Sequence, residues 1–132
     1  ALNMFGFNEL QSAQIDAVAE HVRDIKQAYQ PCRKVEDPVE KEAGMAKWFS
    51  QDLPEFSAKL EAALPACVRH IDADNPNYAH VVLYAFYNGF FDNVQGARNA
   101  IADCPVLKNI VATVGEHPGV QAWEGRRPRT DF

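Results

Sequence analysis

Four histidines are the first side chains in this chain to consider as metal ligands or acid–base groups: His21, His70, His80 and His117. They fall on different predicted elements, and no pair has the spacing that places two ligands on one helix face. We therefore expect no bound metal. His80 lies in the first turn of a predicted helix, where a protonated imidazole would meet the positive helix end, so we interpret it as neutral and structural.

The three cysteines, Cys32, Cys67 and Cys104, are widely spaced and include no Cys-x-x-Cys pair. This usage indicates neither a disulfide framework nor a zinc ribbon, and a reducing compartment, cytoplasmic or inside an organelle, fits it best. Cys32 precedes a basic pair, but we favour an inert core thiol. Because the sequence also has no Gly-rich phosphate loop and no Gly-x-Ser-x-Gly elbow, no enzyme site can be assembled from this chain alone.

Charge and hydropathy narrow the class of protein further. The formal net charge of −5 over 132 residues disfavours nucleic-acid binding, and we interpret the basic cluster at residues 126–129 as a solvated helix flank. No apolar run reaches the roughly 18 to 20 residues that span a bilayer, and no signal sequence follows Ala1. The length and the 47% hydrophobic content are those of one soluble globular domain.

Helical periodicity begins after Asn8, which can form a capping box with Gln11. Apolar residues then recur at steps of three and four, at Ile15, Val18, Val22, Ile25 and Tyr29. We expect Pro31 to end this helix. Asp37 should cap a second, long helix that begins at Pro38, with Glu40 completing the box.

The apolar stripe of the second helix is predicted at Met45, Phe49, Leu53, Phe56 and Leu60. Pro54 interrupts it, so we expect a kink there, or a break with Asp52 and Glu55 as a new cap.

Asn77 caps a third helix that is apolar on almost every face and belongs in the middle of a bundle. A buried strand is the competing interpretation, but the run is longer than a typical strand. Pro105 opens another helix, His117-Pro118 ends it, and a short helix follows. The predicted fold class is therefore all-α, an orthogonal bundle of five or six helices.

The C-terminal residues 117–132 resemble the tail of sigma-like glutathione transferases, in which a His-Pro helix with an inward aromatic ends in Arg-Pro-x-Thr before a terminal apolar residue. The resemblance extends back through Pro105-Val106-Leu107, Asn77-Tyr78-Ala79-His80 and the helix near Ile15. Two departures stand out: the family's box has Ser or Thr, two residues, then Asp, and Asp72-Ala73-Asp74 replaces its usual Gly-Asp.

This resemblance implies that residues 8–132 form the helical C-terminal domain and that residues 1–7 are a remnant of the junction after a thioredoxin-like domain. In the family that domain binds glutathione, the co-substrate, and supplies the Tyr that stabilises its thiolate. By resemblance, Asp24 matches an acidic residue that reaches the glutathione of the neighbouring subunit, while Tyr29 and Phe132 match regions lining the electrophile pocket. An exposed, paired carboxylate at Asp24 and a core or interface aromatic at Tyr29 or Phe132 are the structural alternatives.

Three functions remain open. The first is the helical half of a glutathione transferase, which conjugates or isomerises small electrophiles only when joined to a thioredoxin-like domain and contributes half of a homodimer interface. The second is a non-catalytic docking subunit of a larger complex, because fold resemblance alone does not separate the two. The third is a carrier of apolar ligands that uses the aromatic residues between Tyr84 and Phe91, although such stripes are more often core.

Overall fold

A computed structural model describes residues 9–121, and this part of the chain is an all-α bundle without strands. In chain order its helices are α1 (Glu9–Lys34), α2 (Pro38–Lys47), α3 (Leu53–Ala63), α4 (Ala66–Arg69), α5 (Tyr78–Ala85), α6 (Val94–Ala100) and α7 (Pro105–Glu116). A π-helical turn, Trp48–Asp52, joins α2 to α3, and a second, Phe86–Phe90, extends α5. Up to Glu116, the described elements form six continuous helical segments, but α4 lies in a stretch that the sequence did not predict as helical, and residues 118–121 belong to a further helix beyond these six.

Helix α1 buries the predicted face and exposes the charged one. Its buried residues are Ile15, Val18, Val22, Ile25 and Tyr29. The prediction that Pro31 ends this helix is wrong, because α1 continues to Lys34. Tyr29 and Cys32 on this last turn contact Met45 and Gly44 of α2, and these contacts offset the backbone hydrogen bond that the proline lacks. The proposed Asn8 cap lies outside the described residues.

The second long helix begins as predicted, since the side chain of Asp37 accepts a hydrogen bond from the backbone N–H of Glu40. At Pro54 the helix does not break, and Asp52 makes no capping hydrogen bond. Instead, Leu53 donates its N–H to the carbonyl of Trp48, five residues back. This wider turn gives the proline ring room next to the preceding carbonyls.

The π turn also changes which aromatic side chain enters the core. Trp48 is buried, whereas Phe49, which the stripe predicted inward, is half-buried. A π turn adds one residue to the local repeat and therefore rotates the apolar face by one position. The simple helical period did not predict this exchange.

Helix α5 lies in the middle of the bundle, packed against α1 and α7, as its apolar composition predicted. Its π-helical extension runs through Asn88 and Gly89. Helix α7 begins at Pro105 and ends at His117, and residues 118–121 are again helical. Of the five apolar residues that the helical spacing predicts to face inward, Leu107, Ile110, Val111 and Val114 are buried, whereas Val106 is half-buried.

Candidate functional site

An aromatic cluster fills the space between α1 and the two π-helical turns. Its members are Tyr29, Trp48, Phe49, Phe86, Phe90 and Phe91. The ring centroids of Tyr29 and Phe91 lie 4.8 Å apart in an edge-to-face arrangement, and those of Phe49 and Phe91 lie 5.4 Å apart. Phe49 and Phe90 are half-buried and the other rings are buried, so the cluster reaches the surface through these two side chains.

Tyr29, a candidate for the electrophile pocket, lies at the centre of this cluster and is 6% exposed. Its hydroxyl donates a hydrogen bond to the Met45 sulfur over 3.3 Å. Burial raises the pKa of Tyr29, and the charge of Arg33 offsets part of that rise. The ring is therefore a packing element behind the half-buried Phe49 and Phe90, and direct contact of Tyr29 with a substrate stays a prediction.

Lys26 lies at the rim of the aromatic cluster, where its ammonium group is 5.0 Å from the centroid of the Phe90 ring. Burial lowers the pKa of Lys26, and the nearby charge of Arg23 lowers it further. A cation over an aromatic face is held by the ring quadrupole. The sequence placed Lys26 on the charged face of α1 and did not indicate this contact, which depends on the fold around Phe90.

Asp24, the candidate for contact with glutathione, is exposed on α1. Within residues 9–121 it makes no ion pair, whereas Glu20 pairs with Arg23 at 2.8 Å and Glu55 with Lys59 at 3.5 Å. The structure does not bring Asp24 and Tyr29 to one site, since the first side chain faces solvent and the second is in the core. Phe132 and the proposed junction at residues 1–7 lie outside the described residues.

A second concave surface, which we call the α2–α6 groove, has a volume of about 620 Å³. It is lined mainly by small side chains, with Phe49 at its wall: Ala46, Phe49, Ser50, Pro54, Ala58, Gly96, Asn99, Ala100, Asp103 and Cys104. The Ser50 hydroxyl donates to the carbonyl of Ala46, and burial raises the pKa of the Cys104 thiol. The groove has both apolar and polar walls, and its thiol is not activated for nucleophilic chemistry.

His80 is neutral and structural, in agreement with the prediction from its place in the helix. It is 1% exposed, its Nδ1 accepts the backbone N–H of Asn77 at 2.9 Å, and its Nε2 is 2.9 Å from the carbonyl of Val68. Asn77 in turn accepts the backbone N–H of His80, which completes a capping box. Burial lowers the pKa of His80, so the neutral imidazole is the stable form.

Two structural contacts join residues too distant in sequence for periodicity to find. Glu61 of α3 accepts the backbone N–H groups of Val106 and Leu107, at 2.7 and 2.9 Å, and so caps α7 from another helix. The hydroxyls of Ser57 and Tyr87 are 2.8 Å apart in the core. No local signal reveals these pairs, because each depends on how two helices pack.

The indole N–H of Trp48 differs from these groups, since it is buried and has no hydrogen-bond partner among the described residues. The ring packs against Tyr29 and Phe56, with centroids 5.1 and 5.7 Å away. An unpaired buried donor costs free energy, so this side chain is retained for its packing.

Residues 9–121 contain no disulfide, no candidate metal site and no helix that could span a membrane. The three cysteines are free, with Cys104 buried and the other two half-buried. This part of the chain has no group of three or more His, Cys, Asp or Glu side chains placed to hold a metal ion. None of its helices is both long and apolar enough to cross a membrane.

The fold and these surfaces define an all-α domain with an aromatic cluster that reaches the surface at Phe49 and Phe90 and a groove of mixed polarity between α2 and α6. The family model described as glutathione S-transferase, C-terminal domain, matches residues 23–127, and the chain belongs to this family. The resemblance seen in the sequence is thereby confirmed at the level of the family. No curated protein matches the chain significantly.

Proposed function

We propose that this chain is the helical half of a sigma-like glutathione transferase, active on small electrophiles when joined to a thioredoxin-like domain that binds glutathione. The observation that carries the proposal, beside the family match, is the opening of the aromatic cluster at Phe49 and Phe90. An apolar electrophile held against these rings would be desolvated and positioned for attack by a thiolate on the partner domain.

In the proposed enzyme, the helical domain binds the electrophile and the thioredoxin-like domain activates the thiol of glutathione. The hydrogen bond from Tyr29 to Met45 fixes the ring that supports the exposed edges of the cluster. A rigid apolar surface of this kind holds a bound substrate in position for reaction. It does so without an acid–base group of its own.

Asp24 is the residue that we propose to contact glutathione, through the amino group of the molecule bound to the neighbouring subunit of a homodimer. Support comes from its exposure on α1 and from the absence of an ion-pair partner within residues 9–121. A carboxylate in this state loses no existing contact when it accepts a charge-assisted hydrogen bond.

The alternative function is a non-catalytic docking subunit of a larger complex, and α2 favours it. This helix buries none of its residues, and Val39 near its start is 74% exposed. Only Gly44 and Met45 of this helix are half-buried, so most of its surface is free to contact another protein.

Native mass spectrometry of the protein isolated from its source, compared with its denatured mass, distinguishes the two functions. A denatured mass larger by a thioredoxin-like domain supports the transferase. The mass of this chain alone, inside an assembly of unrelated subunits, supports the docking subunit. An isolated, monodisperse monomer of this chain contradicts both.

The transferase proposal is then tested with Asp24→Asn in the two-domain protein, with Asp16→Asn, another exposed carboxylate of α1, as the control. Loss of one charge-assisted hydrogen bond should raise the KM for glutathione roughly tenfold with little change in kcat, while the control is unchanged. Equal KM values for both variants contradict the role of Asp24. Binding of glutathione by the helical chain alone would contradict the proposal that the thioredoxin-like domain binds glutathione.

A further inference from the structure

His80 connects the first turn of α5 to α4 through both of its ring nitrogens. Its Nδ1 accepts the N–H of Asn77, and its Nε2–H donates to the carbonyl of Val68. The side-chain amide of Asn77 adds a parallel bond to the carbonyl of Cys67, at 3.0 Å. Asn77 and His80 are 8% and 1% exposed, so water does not substitute for these contacts.

This arrangement requires one protonation state of the imidazole. With Nδ1 as the acceptor, the proton must be on Nε2, and a second proton on Nδ1 would point at the N–H of Asn77. The resulting cation would also lie at the positive end of α5. A Glu or Gln at this position of a capping box would remain an acceptor, whereas the His80 imidazole loses that capacity when it is charged.

The surroundings of His80 offer little compensation for a positive charge. Among the described residues, no side chain of α1, α4 or α7 contributes a charge effect to the pKa of His80; burial lowers it, and hydrogen bonding to the backbone of Val68 and His70 raises it. The nearest titratable groups along the connection are the half-buried thiol of Cys67 and the exposed His70, Asp72 and Asp74. Asp72 is engaged by the N–H of Asp74.

We propose that His80 is a pH-sensitive latch between α4 and α5, whose protonation releases the first turn of α5 and the connection before it. The inference is independent of the proposed catalytic function. The pKa of His80 is lower in the folded chain than in the unfolded chain, where it is about 6.5. The stabilisation is therefore present well above this value and is lost as the pH falls toward the folded-state pKa of His80, by at most about tenfold in the folding equilibrium constant per pH unit.

The experiment uses the full chain, His80→Gln and the control His70→Gln. Glutamine keeps an acceptor and a donor but does not titrate in this range. His70 is exposed in the same region, so its replacement removes one histidine without touching the latch. Denaturant unfolding between pH 5 and 8 measures the folding equilibrium, and amide hydrogen exchange, corrected for the intrinsic rate at each pH, locates any opening.

The expected result is a loss of the folding equilibrium constant from pH 6.5 to 5.5 that is up to about fivefold larger in the unmodified chain and in His70→Gln than in His80→Gln. The amides of residues 79–82 and 68–70 should lose protection before those of α7. An identical pH dependence in His80→Gln, or a uniform loss of protection through α1, α5 and α7, would overturn the latch.

A measurement on the unmodified chain decides the matter if His80→Gln does not fold. Nitrogen-15 NMR of the imidazole rings reports both the tautomer and the titration of each histidine. The latch requires an Nε2-protonated His80 that stays neutral below pH 6.5. Titration of His80 near that value, with unchanged amide protection, would overturn it.

Discussion

Three buried polar side chains among residues 9–121, Ser57, Asn77 and His80, are paired with groups on other helices, whereas the indole N–H of Trp48 is not. Ser57 contacts Tyr87, and His80 contacts Val68, both in the core. Burial raises the pKa of Tyr87 far above its usual range, so its hydroxyl remains protonated and available as a donor. Because an unpaired buried polar group costs about 1–3 kcal/mol, these pairs help select one arrangement of the helices.

Glu61 provides the clearest test at the scale of a residue. Replacing it with Ala leaves the N–H groups of Val106 and Leu107 without their acceptor, and the free energy of unfolding should fall by about 1 kcal/mol, the usual effect of losing a helix cap. Denaturant unfolding measures the change. Glu61→Gln, which keeps an acceptor oxygen, should lose less.

Glu55→Ala is the matched control for the Glu61 variants, since Glu55 is an exposed carboxylate on the same helix with a surface ion pair to Lys59. Exposed pairs of this kind contribute about 0–1 kcal/mol. If Glu55→Ala and Glu61→Ala lower the stability equally, Glu61 does not act as the cap of α7.

At the scale of the element, two glycines show how packing decides the effect of one substitution. A Cβ at Gly44 in α2 would meet no atom within 4 Å. A Cβ at Gly96 in α6 would lie 2.5 Å from the side-chain nitrogen of Asn93, whose oxygen caps this helix through the N–H of Gly96. The same added methyl group is therefore accommodated in one helix and displaces a cap in the other.

Gly44→Ala should raise the free energy of unfolding by about 0.5–1 kcal/mol, because alanine loses less backbone entropy in a helix. Gly96→Ala should lower it by about 0.5–2 kcal/mol, since Asn93 must give up its hydrogen bond. Thermal or denaturant unfolding of the two variants side by side measures whether each substitution raises or lowers the free energy of unfolding. A stabilising Gly96→Ala would show that Asn93 is not needed as the cap.

At the scale of the whole molecule, the domain has buried most of its large apolar side chains but leaves α2 without a buried residue. Leu10 on α1 and Val39 on α2 are exposed by 68% and 74%. Val39 is thus an exposed apolar side chain on a helix that contacts its own domain only through half-buried residues, and contact with another surface would bury it.

Val39→Lys tests this use of α2. Because Val39 is exposed, its replacement should change the free energy of unfolding of the chain by less than about 0.5 kcal/mol. Association with the partner domain or subunit should weaken, as measured by native mass spectrometry of the assembly. Leu10→Lys, on another helix, is the comparison, and an assembly unaffected by Val39→Lys would remove α2 from the interface.

The sequence by itself determined the class of fold, the family and several helix starts. The spacing of Ile15, Val18 and Val22 predicted the buried face of α1, and Asp37 and Asn77 predicted two helix starts that the structure confirms. These features are local, since a helix period and a cap involve residues within four positions of one another. The interpretation of His80 as structural rested on the same local reasoning.

The tertiary structure determined the features that depend on contacts between distant residues, which local sequence patterns do not encode. In the folded domain α1 continues past Pro31, and a π turn precedes Pro54 where an interruption was expected. Trp48 is buried in the core, whereas Phe49 is half-buried. It also joined Glu61 to α7 and Lys26 to Phe90. Each outcome depends on contacts between helices distant in sequence, whose packing free energy outweighs the propensity of a single turn.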